Sequence, residues 1–222
     1  MKLVRSNGRL VVFFGPDGSG KTTQAKLLTS YFIKRGYKVK QVWIRSNHSL
    51  AALVSKIFII LGYFRIAFSP DGDAYKIFDI RFLPKLKKIW CFLEFLSVLP
   101  WILFKVNFPL LLGYVVIADR YLVDTVVTIA YSFTDTNFIS GFIAKVLLRM
   151  IPHNSFFIHL DANTKIILRR RNVERIQRDF IEFQKKWYTL FALSFGALSI
   201  NTSNKKVYNT FNEIIENIYK IE

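Results

Sequence analysis

Short, wholly apolar runs alternate along this chain with longer stretches in which apolar positions recur every three or four residues. Residues 10–14 form the first such run and end at Gly15, the profile of a central strand buried on both faces. In the stretch that follows, Ala25, Leu28 and Phe32 repeat at helical spacing and Gly36 stops the helix. Further strands are expected at 38–44, at 114–118 after Gly113, at 156–160 after Pro152, and at 198–200. Helices are expected over 121–133, 138–150, 165–171 and 178–193. A last helix is expected to open on a capping box from Thr210 to Glu213 and to bury Phe211, Ile214, Ile215 and Ile218. Residues 49–112 are very apolar and read as several helices broken near 69–72 and at Pro84, Pro100 and Pro109. Strands alternating with helices predict an α/β fold with a doubly wound, five-stranded parallel sheet. Ligands of such a sheet bind beyond the carboxyl ends of its strands, which gathers the residues after 14, 44, 118, 160 and 200 around one crevice.

Composition narrows this picture. The chain has 222 residues, 52% hydrophobic and 21% charged, enough for one packed core and unlike a disordered chain. A single cysteine, Cys91, excludes an internal disulfide framework and a cysteine-based zinc site, and suits a reducing cytoplasm. The charged start and the brief apolar run at 10–14 do not make a secretory signal. A net charge of +17 favours anionic partners: nucleotides, nucleic acid or an anionic membrane surface. No nucleic-acid-binding module is present, so specific nucleic-acid binding is not expected.

Residues 15–22 read Gly-Pro-Asp-Gly-Ser-Gly-Lys-Thr and match the G-x-x-x-x-G-K-[ST] phosphate loop in full, between an apolar strand and a helix. Glycines at Gly15, Gly18 and Gly20 let the backbone curl so that its N–H groups, with those of Ser19, Lys21, Thr22 and Thr23, meet phosphate oxygens. The helix that follows adds the positive end of its dipole. Lys21 is placed to reach the β- and γ-phosphates of ATP, and the Thr22 hydroxyl to hold Mg²⁺. Asp119, Arg120 and Tyr121 follow the third strand, which is expected beside the first; Asp119 is a candidate metal-linked acid and Arg120 a bidentate clamp for an anionic acceptor. Arg45 ends the second strand and is a second cation for that acceptor. Arg169, Arg170, Arg171, Arg175 and Arg178 cluster after the fourth strand, where an arginine can neutralise charge on a transferring phosphoryl group. His48, His153 and His159 are assigned no chemistry.

The loop with its continuation to Leu28, followed by Asp119-Arg120-Tyr121, resembles the thymidylate kinase family. Leu160-Asp161 before the arginine helix, Glu174-Arg175-Ile176-Gln177 and Tyr188 agree with it, so the resemblance covers most of the chain. It implies a single P-loop nucleotide kinase domain over 1–222, with an apolar acceptor-side region at 49–112 and a short arginine-rich lid at 169–180. It implies transfer of the ATP γ-phosphate to dTMP, yielding dTDP for nucleotide biosynthesis, by a cytoplasmic, homodimeric enzyme using Mg²⁺. On this reading Lys21, Asp119 and the lid arginines Arg170, Arg171 and Arg175 are catalytic, Thr22 and Asp119 serve the metal, and Asp17, Arg45, Arg120 and Tyr121 bind the acceptor. Because the loop carries Gly18 and no arginine, the lid is expected to supply one.

The chain departs from the family at the acceptor base. Ser46-Asn47-His48 replaces Glu-Pro-Gly, and residues 92–98 carry no arginine where Phe-Ala-Ala-x-Arg is usual. A kinase of the same fold with another acceptor is therefore an alternative, as is a peripheral membrane protein that binds ATP. Two apolar stretches, 49–68 and 89–108, approach the length of a bilayer span, yet they contain Lys56, Arg65, Glu94 and Lys105 and lie between two strands of one sheet. They are expected to pack or to form a contact surface, with those charges at the rim and with contact to an anionic membrane open to them.

Overall fold

A computed structural model describes residues 8–45, 49–68, 74–171 and 178–220. The order of elements is β1 (Arg9–Phe14), α1 (Lys21–Lys34), β2 (Val39–Val42), α2 (Ser49–Ile60), β3 (Phe64–Phe68) and β4 (Ala74–Phe78). Next come α3 (Lys87–Trp101), a π-helical turn (Ile102–Asn107), α4 (Phe108–Leu111), β5 (Val115–Asp119), α5 (Leu122–Phe133), α6 (Asn137–Ser140) and α7 (Phe142–Arg149). The chain closes with β6 (Phe156–Asp161), α8 (Thr164–Arg171), α9 (Arg178–Ser194), β7 (Leu198–Asn201) and α10 (Val207–Lys220).

The main sheet has five strands in the order β2-β5-β1-β6-β7, and every pairing is parallel. The third expected strand thus lies beside the first. Strand periodicity divides the core in two. Leu10, Val12, Phe14, Val116 and Ala118 face one side and pack with residues of α3, α5, α7 and α9. Val11, Phe13, Val115, Ile117, Ile158 and Leu160 face the other and meet α1 and α10. Each fully buried side chain of this kind contributes about 1.5–3 kcal/mol, so β1 is the most firmly held strand in the fold. His159 sits in this frame as a structural residue: its ring stacks on Phe14 at 5.3 Å, and burial pushes its pKa down to about 4.

Three expectations need correction. The residues on either side of 69–72 are not helical as expected: β3 and β4 pair there as antiparallel strands. Pro100 and Pro109 do not end a helix: Lys87–Leu111 runs on for 25 residues, and the π-helical turn after Pro100 re-registers the ladder that proline interrupts. The last helix begins at Val207, so Thr210 is not its cap; it is buried in the first turn and its N–H donates to the Lys206 carbonyl at 3.2 Å.

Candidate functional site

The carboxyl ends of β1 and β5 carry the charged residues, and the backbone there is unusually constrained. Gly15 has φ +140°, and a Cβ on it would stand 2.0 Å from the Leu160 carbonyl oxygen of β6. Only glycine lets the loop leave β1 at that point. The loop closes with a turn from Ser19 N–H to the Pro16 carbonyl, 3.2 Å, and α1 starts at Lys21. Lys21 is buried, and its Nζ donates to the carbonyls of Gly15 and Pro16 at 2.6 and 2.8 Å. Burial, with Arg120 nearby, lowers its pKa to about 8.

Around Lys21 the charges are interleaved. The Asp17 carboxylate meets Lys21 at 3.8 Å, Arg45 at 3.7 Å and the Arg120 guanidinium in a short ion pair. Arg120 has φ +80°, a left-handed conformation that costs a non-glycine residue strain. Two backbone bonds hold it there: its N–H donates to Phe13 at 3.2 Å, and its carbonyl accepts from Ile44 at 3.3 Å. On its other side the guanidinium faces Asp124, 3.6 Å away and wholly buried. Burial alone would depress the Arg120 pKa, but Asp17 and Asp124 outweigh it and hold it well above the usual arginine value. Asp124 itself is pushed upward by burial against the pull of Arg120, Lys21 and Arg45. Tyr188 donates its hydroxyl to Asp124 at 2.9 Å, and burial raises the pKa of that hydroxyl. Tyr188→Phe should therefore lower unfolding stability by about 1–3 kcal/mol, since the carboxylate stays buried without its donor. Urea unfolding of the purified variant measures it, and an unchanged midpoint would show that the bond contributes nothing.

A cavity of 390 Å³ opens over loop residues 18–23 and is closed by Arg120, Arg170, Thr202 and Lys205. Arg170 extends from α8 across this cavity. Its Nη1 donates to the Gly18 carbonyl at 3.2 Å and to Thr202 Oγ1 at 3.1 Å, and its Nη2 to the Thr202 carbonyl at 2.7 Å. Thr202 in turn donates to the Ser19 carbonyl at 3.0 Å.

The sequence-derived residues thus separate. Gly18, Ser19, Gly20, Lys21, Thr22, Thr23, Arg120 and Arg170 line the cavity. Asp17 and Arg45 lie alongside through ion pairs, and Arg45 also donates to Thr128 at 3.3 Å. Asp119 ends β5 almost wholly buried, and its Oδ1 accepts no hydrogen bond among the described residues. Tyr121 is enclosed by the core with 0% exposure and offers no surface to a ligand, which corrects the expectation of a direct acceptor contact. Arg169 is exposed. Arg175 and the stretch 174–177 lie outside the described residues, as do 46–48 and the side chain of Arg171.

Three site residues escaped the sequence reading. Gln184, fully buried on α9, accepts the Asp17 N–H at 3.1 Å. Thr202 follows β7 directly, the position where ligand-facing residues are expected. Asp124 stands four residues after Arg120, a helical spacing that was available as a signal.

The buried β-strand, the glycine loop and the parallel sheet with helices on both faces together define a P-loop nucleotide kinase fold. Comparison with known proteins agrees. The chain resembles a crystal structure of thymidylate kinase from Ehrlichia chaffeensis with a TM-score of 0.59 and 15% sequence identity, over 96% of this chain and 99% of that one. A stretch of 52 residues, 23% of the chain, is 42% identical to a protein of Pyrococcus horikoshii described as a probable thymidylate kinase. The matched part spans a quarter of that relative's length, 25%. No family model matches the chain. The structural likeness, at 15% identity, shows a shared fold, and the local sequence match covers 52 residues.

Proposed function

We propose that the chain is a nucleoside monophosphate kinase that transfers the γ-phosphoryl group of ATP to an acceptor phosphate, with dTMP as the first acceptor to test. The observation that carries this reading is the position of Asp17. One carboxylate within the phosphate loop pairs with Lys21 on the triphosphate side and with Arg45 and Arg120 on the other. A donor phosphate site and a second cationic pair are thereby built side by side, which is what an in-line transfer between two phosphates requires.

Lys21 attracts the β- and γ-oxygens, and the loop's N–H groups orient them. Arg120 and Arg45 draw in the acceptor phosphate. Arg170 reaches the loop from the opposite wall and can meet charge on the transferring group. Thr22 and Asp119 are the residues that would hold Mg²⁺, and the unpartnered Asp119 oxygen suits that role. Among the described residues no group of three acidic, histidine or cysteine side chains forms a metal site. A Mg²⁺ held there would supply positive charge to offset that of the triphosphate.

A second reading, a different acceptor on the same machinery, is favoured by the helix that should read the base. Its inward residues are Trp90, Cys91, Glu94, Ser97 and Val98, with no cation among them. Glu94 lies in this buried set and not at the rim as expected. Measuring ATP consumption with each nucleoside monophosphate, nucleoside and sugar phosphate decides between the two. Activity with dTMP above every other acceptor supports the first, and activity confined to a non-nucleotide acceptor replaces it with the second.

Asp119→Asn and Arg120→Lys should fail differently. The first should lower kcat roughly a hundredfold through the transition state. The second keeps the charge but loses the fork, and should raise acceptor KM roughly tenfold or more with a smaller change in kcat. Steady-state kinetics with acceptor varied will separate them, and matching profiles would argue that the two residues share one role.

A further inference from the structure

The helix Lys87–Leu111 and its neighbour α2 each carry an outward stripe that no described residue covers. On α2 it comprises Leu50, Leu53, Ile57, Ile60 and Leu61. On the longer helix the exposed apolar residues are Ile89, Phe92 and Leu96 in one group and Leu103, Phe104, Phe108 and Leu111 in a second. Leu111, Ile60 and Phe104 are 84%, 83% and 70% exposed. At about 1.5 Å per residue the stripe from Ile89 to Leu111 runs roughly 33 Å, far more than the scattered apolar residues of an ordinary surface.

The charges around it are mostly positive. Lys56 on α2, Lys85 and Lys88 at one end of the long helix and Lys105 within it are cations of this layer, with Lys105 lying 3.7 Å over the Trp101 ring. The helix α7, packed against α3, turns Phe142, Lys145 and Arg149 to solvent. Of the nearby carboxylates among the described residues, Asp79 and Glu94 are buried, and the part-exposed Asp135 is already paired with Lys87 at the start of the helix. The whole chain carries +17.

We propose that this face lies on an anionic lipid surface, with the apolar stripes in the acyl–headgroup boundary and the lysines at the phosphates. The charge pattern selects this occupant. An anionic bilayer complements a cationic rim and receives the apolar side chains between the lysines. A second copy set against the same face by a two-fold axis is less suited: it brings its own Lys56, Lys88 and Lys105 to the contact, and the part-exposed carboxylate at hand, Asp135, is already paired with Lys87. Spanning is excluded by the inward half of the same helix, where Glu94, Ser97, Val98 and Ile102 pack into the protein. The contact is peripheral, so it weakens with salt.

The proposal is independent of the kinase reading, and its test needs no activity. The full-length protein is sedimented with vesicles of phosphatidylcholine alone and of an equimolar mixture with phosphatidylglycerol, at low and high salt. The expected result is binding to the mixed vesicles, at least about tenfold stronger than to phosphatidylcholine and released by salt. Phe104→Glu and Leu111→Glu, both at exposed positions, should each weaken it about tenfold, and Lys88→Glu should do so without touching the apolar stripe. Circular dichroism and melting temperature verify that the variants are folded. Absence of binding to the mixed vesicles, or binding unchanged in these folded variants, overturns the proposal. So does a dimer in analytical ultracentrifugation that Phe104→Glu splits while vesicles are ignored; the face is then an interface between copies. Protein retained in vesicles through a carbonate wash overturns it in the other direction, toward insertion.

Discussion

Lys21→Ala should abolish phosphoryl transfer, with kcat lower by about a thousandfold or more. The side chain is buried at the centre of the loop, where its charge acts through little water and no neighbour can replace it. Arg120 and Arg45 are committed to Asp17 on the acceptor side. The fold should survive the change for the same reason, since Asp17 keeps both arginines. The sign of the pH effect agrees. A lysine with a folded pKa near 8, below its unfolded 10.5, penalises the folded state below pH 8, and the penalty fades as pH rises toward 10.5. Removing it at pH 7 costs no electrostatic stability. A folded variant, judged by melting temperature, that retained near-full kcat would show that the loop does not position the transferred phosphate.

Arg170→Ala should lower kcat by roughly a thousandfold while ATP affinity changes only a few-fold. Among the arginines of α8 with described side chains, Arg170 bonds to the loop and Arg169 does not. Its anchor on Thr202 aims the guanidinium at the Gly18 carbonyl, beside the place where the γ-phosphate must lie. Arg170→Lys should not restore the rate, because lysine cannot hold Thr202 and a phosphoryl oxygen at once with one ammonium. Arg169→Ala serves as the control and should be nearly silent. Single-turnover kinetics with an independent ATP titration separate chemistry from binding. Normal kcat in Arg170→Ala would assign the transition-state arginine to another residue.

The parts of this fold that were legible are those whose information is local. A central parallel strand must be apolar on both faces, so β1, β5 and β6 stood out as unbroken runs, and the glycines after β1 fixed the loop. The hairpin β3–β4 was not legible, because its alternation is submerged in a region apolar throughout. The supposed cap at Thr210 failed because the helix starts a turn earlier, and the serine- and lysine-rich approach to Val207 gave no sign of it. Lys21, Arg45, Arg120 and Arg170 were legible from motif and strand end. Gln184 and Thr202 were not, since each acts by a contact spanning more than 150 residues that exists only after folding.

One helix registers most of this machinery. Within two turns α9 presents Gln184 to the loop at Asp17, Lys185 to Asp161 at the end of β6 at 2.6 Å, and Tyr188 to Asp124, the carboxylate behind Arg120. On the proposed reading, the donor and acceptor sites both rest on contacts from this one helix. Any displacement of α9 favoured by one substrate is felt at the other site, and thermodynamic reciprocity then fixes the size of the effect: the factor by which acceptor tightens or loosens ATP is the factor by which ATP changes acceptor affinity.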